Sequence, residues 1–296
     1  MPYASHVPSP PLDAFIENLW SLSDAPPHAR ERILPSGTLE LVINLHEDEF
    51  RIYDIAEERP PKRFRGAMVS GAYGSPFVID TQEHASIIGV HFAPGGAVPF
   101  LGVPPGRLAD AHLELEHLWA GQASELRERL CLAPTSAERF RILEEALLAR
   151  LRHPFKHHGA VRVALDQIAQ PGLAVAAIAD RVGLSHRRLI EIFTAEVGVP
   201  PKLFARLQRF QRAMSVIQQA RVAGWANLAL GCGYCDQSHL IRDFREFSGF
   251  SPADLFRRRN DRVKMNHVAL AESARSNLSN TARSSMSTLP GGRRTR

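Results

Sequence analysis

In the first half of the sequence, the histidines are the residues best suited to a specific chemical role, because imidazole is a common metal ligand. His46, His84 and His91 all lie there. Gathered inside a β-barrel, they could hold a metal for oxygenase chemistry. However, His84 and His91 are separate from each other in the sequence, and His46 is distant from both. The sequence also has no tight cluster of histidines with a carboxylate. The pattern favours scattered core or surface histidines, so we expect no metal, no cofactor and no catalytic residue.

The three cysteines favour packing over redox chemistry. Cys232-x-x-Cys235 has the spacing of a redox or zinc pair, but it straddles a predicted tight turn, and the sequence has no second cysteine pair. Cys131 falls on a predicted amphipathic helix with no activating motif around it. Three cysteines are too few for a disulfide framework, which suits a reducing compartment.

Positive charge is concentrated in the second half of the chain. The net charge is −7 over residues 1–154, +7 over 155–263 and +5 over 264–296. A basic segment of this kind suits contact with a polyanion. No apolar run approaches the roughly 20 residues of a membrane span, and the N-terminus does not have the pattern of a secretory signal. We therefore expect a cytoplasmic protein without a membrane segment.

An internal repeat in the second half predicts the elements that carry this charge. In the first copy, a stripe of apolar residues over 175–182 precedes a glycine turn, and Ser185 can then cap a second helix. The same order returns about fifty residues later over 225–232, with Asp236 as the cap. Each copy therefore predicts two short helices joined by a tight turn.

One longer helix is predicted between the two copies. Its apolar residues recur at steps of four and three, namely Leu203, Leu207, Phe210, Met214 and Ile217. Roughly 18 residues of helix span about 27 Å. With the width of the units at its ends, such a helix can hold two recognition helices about one DNA turn apart, roughly 34 Å.

The sequence pattern of the first half predicts β-strands followed by two helices. Short β-branched or aromatic runs over 38–45, 50–55, 75–80 and 85–92 are separated by Gly and Pro, and helical spacing follows over Leu113 to Leu132 and Ser136 to Leu151. We predict a first domain over 1–152, a linker over 153–160, a second domain over 161–262 and a disordered tail over 263–296.

Two segments resemble the AraC-type transcriptional regulators: GYCDQSHLIRDFREFSGFSP (Gly233 to Pro252) and AIADRVGLSHRRLIEIFTAEVGVPPKLF (Ala177 to Phe204). The resemblance covers about Val161 to Arg259. It implies an all-α domain in which a linker helix joins two helix-turn-helix units. The first half resembles, less specifically, the cupin-like sensor domains of that family. The predicted fold class is α+β, with a cupin-like antiparallel β domain and two helices before the all-α domain.

The resemblance and helix geometry together imply which side chains contact DNA, because a recognition helix presents its first turns to base edges. Arg187 could donate two hydrogen bonds to guanine, Glu191 could accept from cytosine, and Ile190 could touch a thymine methyl group. Gln237 suits adenine, and Arg242 suits guanine or a phosphate. The candidates for base contact are His186, Arg187, Ile190, Glu191, Gln237, Ser238, His239 and Arg242. The candidates for phosphate contact are Lys202, Arg206, Arg209, Arg212 and Arg245.

Other interpretations remain open at this point. Ile190 and Ile241 are equally consistent with packing. Two functions from different classes also fit the sequence. One is a regulator of promoter DNA whose first domain senses a small-molecule effector, forms a homodimer, or both; the resemblance favours an activator that works with RNA polymerase. The other is a cupin-like metalloenzyme or small-molecule binder fused to a DNA-binding module.

Overall fold

The fold combines a β-rich first part with a helical second part. The computed structural model describes residues 3–23, 30–55, 59–81, 86–151, 156–168, 175–219, 224–258 and 266–270. Antiparallel strands and short helices make up most of the described residues up to 151, and every element described between residues 159 and 258 is a helix. This arrangement confirms the α+β class expected from the sequence.

The strands form two antiparallel sheets. Their bounds are β1 Tyr3–His6, β2 Ile16–Ser23, β3 Arg30–Ile33, β4 Glu40–Asn44, β5 Phe50–Tyr53, β6 Lys62–Phe64, β7 Ala67–Ser70, β8 Phe77–Asp80, β9 Ser86–Phe92, β10 His112–Glu114 and β11 His267–Leu270. The first sheet has the order β1-β2-β9-β4-β7-β10, and the second has the order β11-β3-β8-β5-β6. The four runs predicted from the sequence correspond to β4, β5, β8 and β9.

The helices follow the repeat described above. Their bounds are α1 Val98–Leu101, α2 Glu116–Trp119, α3 Gln122–Leu132, α4 Ser136–Arg150, α5 Gly159–Ile168, α6 Val175–Arg181, α7 His186–Val197, α8 Pro201–Gln218, α9 Trp225–Gly231, α10 Gln237–Ser248 and α11 Pro252–Arg258. The long helix predicted between the two copies is confirmed as α8. No helix among the described residues is long and apolar enough to cross a lipid bilayer.

The single helix predicted over Leu113 to Leu132 is wrong. This segment forms β10, then α2, then α3. The backbone turns between the two helices at Ala120 (φ 38°) and Gly121 (φ 32°), where positive φ ends an α-helix. The indole nitrogen of Trp119 donates to the carbonyl oxygen of Phe100 at 2.9 Å and fixes the break. Helical spacing of apolar residues continued across the break and concealed it.

Each face of the first sheet contributes to a different core. Trp20 and Met68 face the second sheet and pack with Phe50. Val90, on the opposite face, belongs to a larger cluster with Leu143 of α4, and this cluster continues into α7. Full burial of such a side chain contributes about 1.5–3 kcal/mol. The β domain and the first part of the helical domain therefore share one core.

The helix α7 also contacts the β domain and the segment that precedes α5. A Cβ atom at Gly106, in the turn Pro105–Leu108, would lie 2.6 Å from the carbonyl oxygen of Thr194, so only glycine permits this approach. His157, in the predicted linker, hydrogen-bonds through Nδ1 to Glu196 Oε2 at 2.9 Å. The segment before α5 is thereby fixed to α7.

The tail expected to be disordered from residue 263 contains a strand, β11. It pairs antiparallel with β3 over four residues, and Val268 is buried in the core of the second helical unit. The imidazole of His267 hydrogen-bonds to Glu31 Oε2 at 2.7 Å. Sequence composition could not reveal this strand, because it is stabilised by a strand edge more than two hundred residues away. Residues 271–296 lie outside the described residues.

Candidate nucleic-acid interface

The first helix-turn-helix unit consists of α6 and α7. The turn between them contains Gly183 with a φ of 70°, a left-handed conformation that favours glycine. Ser185 caps α7 by accepting a hydrogen bond from the backbone N–H of Arg188 at 3.2 Å. Leu189 and Phe193 are fully buried on the inner face of α7. The opposite face is left to solvent.

The second unit repeats this construction with α9 and α10. Gly233 has a φ of 85° in the turn, and Asp236 caps α10 by accepting a hydrogen bond from the backbone N–H of His239 at 2.7 Å. Leu240 and Phe244 are fully buried. Both α7 and α10 have 12 residues and end at a glycine with left-handed backbone. The two recognition helices therefore begin and end alike.

On α7, the side chains predicted to contact bases lie at the surface. His186, Arg187 and Glu191 are exposed, and Ile190 is half-buried. Arg187 Nε donates to Glu191 Oε1 at 3.0 Å. Arg188, which sequence reasoning missed, donates to the same carboxylate at 3.4 Å. The hydrogen bond from Arg187 lowers the pKa of Glu191 most, and the hydrogen bond from Arg188 lowers it further.

On α10, the corresponding side chains are also accessible. Gln237, Ser238 and Arg242 are exposed, while His239 is half-buried. The His239 ring contacts the edge of the buried Tyr234 ring at a centroid distance of 5.1 Å. The structure therefore brings the four predicted residues of each unit onto one helix. Ile241 is half-buried, as Ile190 is on α7.

The basic residues predicted to contact phosphate fall into two groups. Lys202 and Arg245 are exposed, and Arg209 and Arg212 are half-buried. Arg206 differs, because its guanidinium forms ion pairs with Asp243 at 2.7 Å and with Glu246. Since two carboxylates already engage this charge, the geometry argues against Arg206 as a phosphate contact. Its partners are distant in sequence, so spacing alone gave no sign of them.

The cysteines and histidines weighed as chemical sites lie in unrelated places. Cys232 is buried and Cys235 is exposed, and both are free thiols. Burial raises the pKa of the Cys232 thiol. His91 hydrogen-bonds to Glu40 at 2.9 Å, while His46 is exposed in a loop. Across the described ranges, no group of three or more His, Cys, Asp or Glu residues could hold a metal ion. His84 lies outside those ranges.

The second unit is held against the β domain by polar contacts. Arg32 on β3 donates to the carbonyl oxygen of Ser248, the last residue of α10, at 2.8 Å. Its guanidinium also lies 4.9 Å from the centre of the Phe250 ring. Gln211 on α8 donates to the carbonyl oxygen of Pro35 at 2.7 Å. Both the linker helix and the second recognition helix thus contact the β domain.

Two domain families match this chain. Residues 163–258 match a family described as a helix-turn-helix domain, and residues 4–114 match a domain family of unknown function, DUF6597. Together with the paired units, the first match shows that the helical part of the chain contains a helix-turn-helix domain. The arabinose operon regulatory protein of Escherichia coli K12 is 27% identical over 138 residues, which are 44% of this chain and 46% of that protein. The helical domain thus matches a helix-turn-helix family and is similar to part of this arabinose regulator.

Solved structures give a more distant likeness. ToxT from Vibrio cholerae is 9% identical, with 86% of this chain and 96% of that chain covered and a TM-score of 0.45. The C-terminal domain of AraT, a response regulator from Geobacillus stearothermophilus, is 20% identical, with 37% of this chain and 95% of that chain covered and a TM-score of 0.33. Since these TM-scores are below 0.5, the assignment of a helix-turn-helix domain rests on the family match and the paired units. The chain spans less than half of the curated relative named above.

Proposed function

We propose that this protein is a sequence-specific transcription regulator that binds double-stranded promoter DNA through both α7 and α10. The observation that carries the proposal is the equivalence of these two helices in length, cap and exposed polar face. A recognition helix needs a buried inner face to fix it and an exposed N-terminal half to read bases. Both helices meet these requirements.

The exposed side chains have the donors and acceptors that base reading requires. Arg187 would donate to guanine and Glu191 would accept from cytosine, while Ile190 would contact a thymine methyl group. In the second unit, Gln237 would pair with adenine and Arg242 with guanine or a phosphate. His186, Ser238 and His239 lie beside them at the helix starts and complete the reading surface.

The Arg187–Glu191 pair can be exchanged for contacts with bases. The side chain of Arg187 is 91% exposed and that of Glu191 is 47% exposed. An exposed ion pair contributes at most about 1 kcal/mol, whereas a bidentate contact to the correct base contributes about 1–3 kcal/mol of discrimination. The free energy lost when the pair breaks on binding is therefore smaller than the free energy gained from the base contacts.

Phosphate contacts would supply the sequence-independent part of the affinity. Lys202 and Arg245 are exposed, and Arg209 and Arg212 extend the basic face along α8. Each neutralised phosphate releases counterions, so affinity should fall steeply as salt is added. This behaviour would separate DNA binding from a simply solvated basic surface.

The β domain would control the DNA-binding domain. Its contacts with α7, α8 and α10 give a route by which an effector or a second subunit could act on both units. A homodimer, as expected from the sequence, would form through α3 and α4, on which Leu132 and Leu148 are exposed. By analogy with the family, the regulator would be an activator that works with RNA polymerase in the cytoplasm.

Replacing Arg187 and Arg242 together with alanine tests the proposal. We expect the double variant to lose specific binding to duplexes that the intact protein selects from a random library, while its melting temperature stays unchanged. A control that replaces Arg63 and Arg65, exposed arginines at and just after β6, removes the same charge elsewhere. Undiminished specific binding by the Arg187/Arg242 variant would contradict the proposal.

A further inference from the structure

A cluster of three charged residues joins the linker helix to the second recognition helix. Arg206 of α8 donates to Asp243 Oδ1 of α10 from Nη2 at 2.7 Å and from Nε at 3.2 Å. It also donates from Nη1 to Glu246 Oε1 at 3.0 Å. These are charge-assisted bonds in the forked geometry that guanidinium favours. The cluster therefore restricts both the distance and the rotation between the two helices.

The buried position of Asp243 makes this restriction strong. Its side chain is 1% exposed, whereas that of Arg206 is 25% exposed. A buried carboxylate that loses its partner is left uncompensated, which is highly unfavourable. The Arg206 guanidinium also lies 4.8 Å from the centre of the buried Phe247 ring, one turn further along α10. Rotating α10 would break these contacts together.

The same helix carries the residues proposed to read bases. Arg242 directly precedes Asp243, and His239 lies one turn earlier, against Tyr234. Side-chain ends lie roughly 5–6 Å from a helix axis, so a rotation of about 20° moves them by about 2 Å. A hydrogen bond to a base edge does not survive such a displacement.

The first unit has no counterpart to this cluster on its recognition helix. Ile192 occupies the seventh position of α7, where α10 has Asp243, and Ala195 occupies the tenth, where α10 has Glu246. Ile192 is half-buried and packs against the apolar core. At these positions, the first unit is held by apolar packing and the second by charge.

We propose that Arg206, Asp243 and Glu246 are positioning residues that set the rotation of α10 on α8 and thereby the base preference of the second unit. This inference rests on the proposed function, since it concerns the half-site that α10 reads. It predicts that weakening the cluster changes which bases are preferred at that half-site. The half-site of the first unit should keep its preference.

The test compares base preferences selected from a randomised duplex library by full-length proteins. Arg187→Ala and Arg242→Ala assign one half-site to each unit. Asp243→Asn keeps the shape of the side chain and removes its charge. We expect it to reduce discrimination at the second half-site at least tenfold, with unchanged discrimination at the first. Glu49→Gln, which removes the carboxylate that pairs with Arg51 and Arg63 in the β domain, serves as the matched control.

A second variant separates positioning from stability. Replacing Arg206 with Met and Asp243 with Leu together removes the charges but keeps apolar packing, which preserves stability in other buried ion pairs. We expect this variant to fold and still to lose discrimination at the second half-site. If a folded variant of either kind keeps both preferences, the inference is wrong and the proposed function stands. If the unaltered protein selects no sequence, the proposed function itself fails.

Discussion

At the scale of single residues, exposure and partners separate side chains that the sequence treats alike. The spacing of basic residues made Arg206 and Arg209 equivalent candidates for phosphate contact. In the structure, Arg206 is bound by two carboxylates, whereas the Arg209 guanidinium lies 5.5 Å from the centre of the Tyr234 ring. Sequence reasoning could place the side chains on helices but could not find Asp243, because that partner belongs to another helix.

His112 is the residue whose titration should affect stability most clearly. Its ring contacts Tyr73 and Phe77 at centroid distances of 4.8 and 4.6 Å. Neither ring nitrogen has a hydrogen-bond partner among the described residues. Burial, and to a smaller extent the charge of Lys62, lowers the pKa of His112 to about 3.

This lowered pKa predicts a loss of stability in acid. Above pH ~6.5 the imidazole is neutral in both the folded and the unfolded chain. As the pH falls from about 6.5 towards 3, only the unfolded chain binds the proton, so the free energy of unfolding decreases by up to about 1.4 kcal/mol per pH unit. Urea unfolding at pH 7 and pH 5 should show a loss about 1–2 kcal/mol larger for the unaltered protein than for His112→Phe. Equal losses would mean that the ring nitrogens of His112 are not shielded from solvent.

At the scale of elements, local signals predicted the helical domain better than the β domain. A cap, an apolar stripe and a turn glycine lie within a few residues of one another, so the sequence alone located α7, α8 and α10. The strands β1, β3 and β6 have four or fewer residues and depend on neighbours far along the chain. Their pairing supplies the stabilisation that their own residues do not indicate.

The cap of α10 gives a prediction at this scale. Asp236 accepts a hydrogen bond from a backbone N–H that otherwise has no partner within the helix. Asp236→Ala should therefore lower the free energy of unfolding by about 1 kcal/mol, within the range 0.5–2 kcal/mol for lost caps. Ser238→Ala, in the first turn but not at the cap, is the control. Urea denaturation measures both, and an unchanged midpoint for Asp236→Ala would exclude the capping role.

At the scale of the whole molecule, the β domain and the helical domain are joined through segments that flank the helical domain on both sides. Residues before α5 contact α7, and β11 after α11 returns to the second sheet. The charge asymmetry of the sequence indicated two parts with different tasks. It could not indicate that they share cores, since that follows from contacts between distant segments.

Shortening the chain tests the contribution of β11. A chain that ends at residue 264 loses the strand and exposes the edge of β3, whereas a chain that ends at residue 270 keeps both. Loss of the buried Val268 side chain alone should cost about 1.5–3 kcal/mol in the free energy of unfolding. Thermal unfolding should therefore occur at a lower temperature for the shorter chain. Identical melting of the two chains would show that β11 contributes nothing to the fold.

The central claim is that α7 and α10, held by α8, enter consecutive major grooves on one side of a duplex. Hydroxyl-radical footprinting of the full-length protein on a selected duplex tests it directly. We expect two protected patches separated by about one helical turn, roughly 10.5 base pairs or 34 Å. A single patch, or two patches on opposite sides of the duplex, would contradict it.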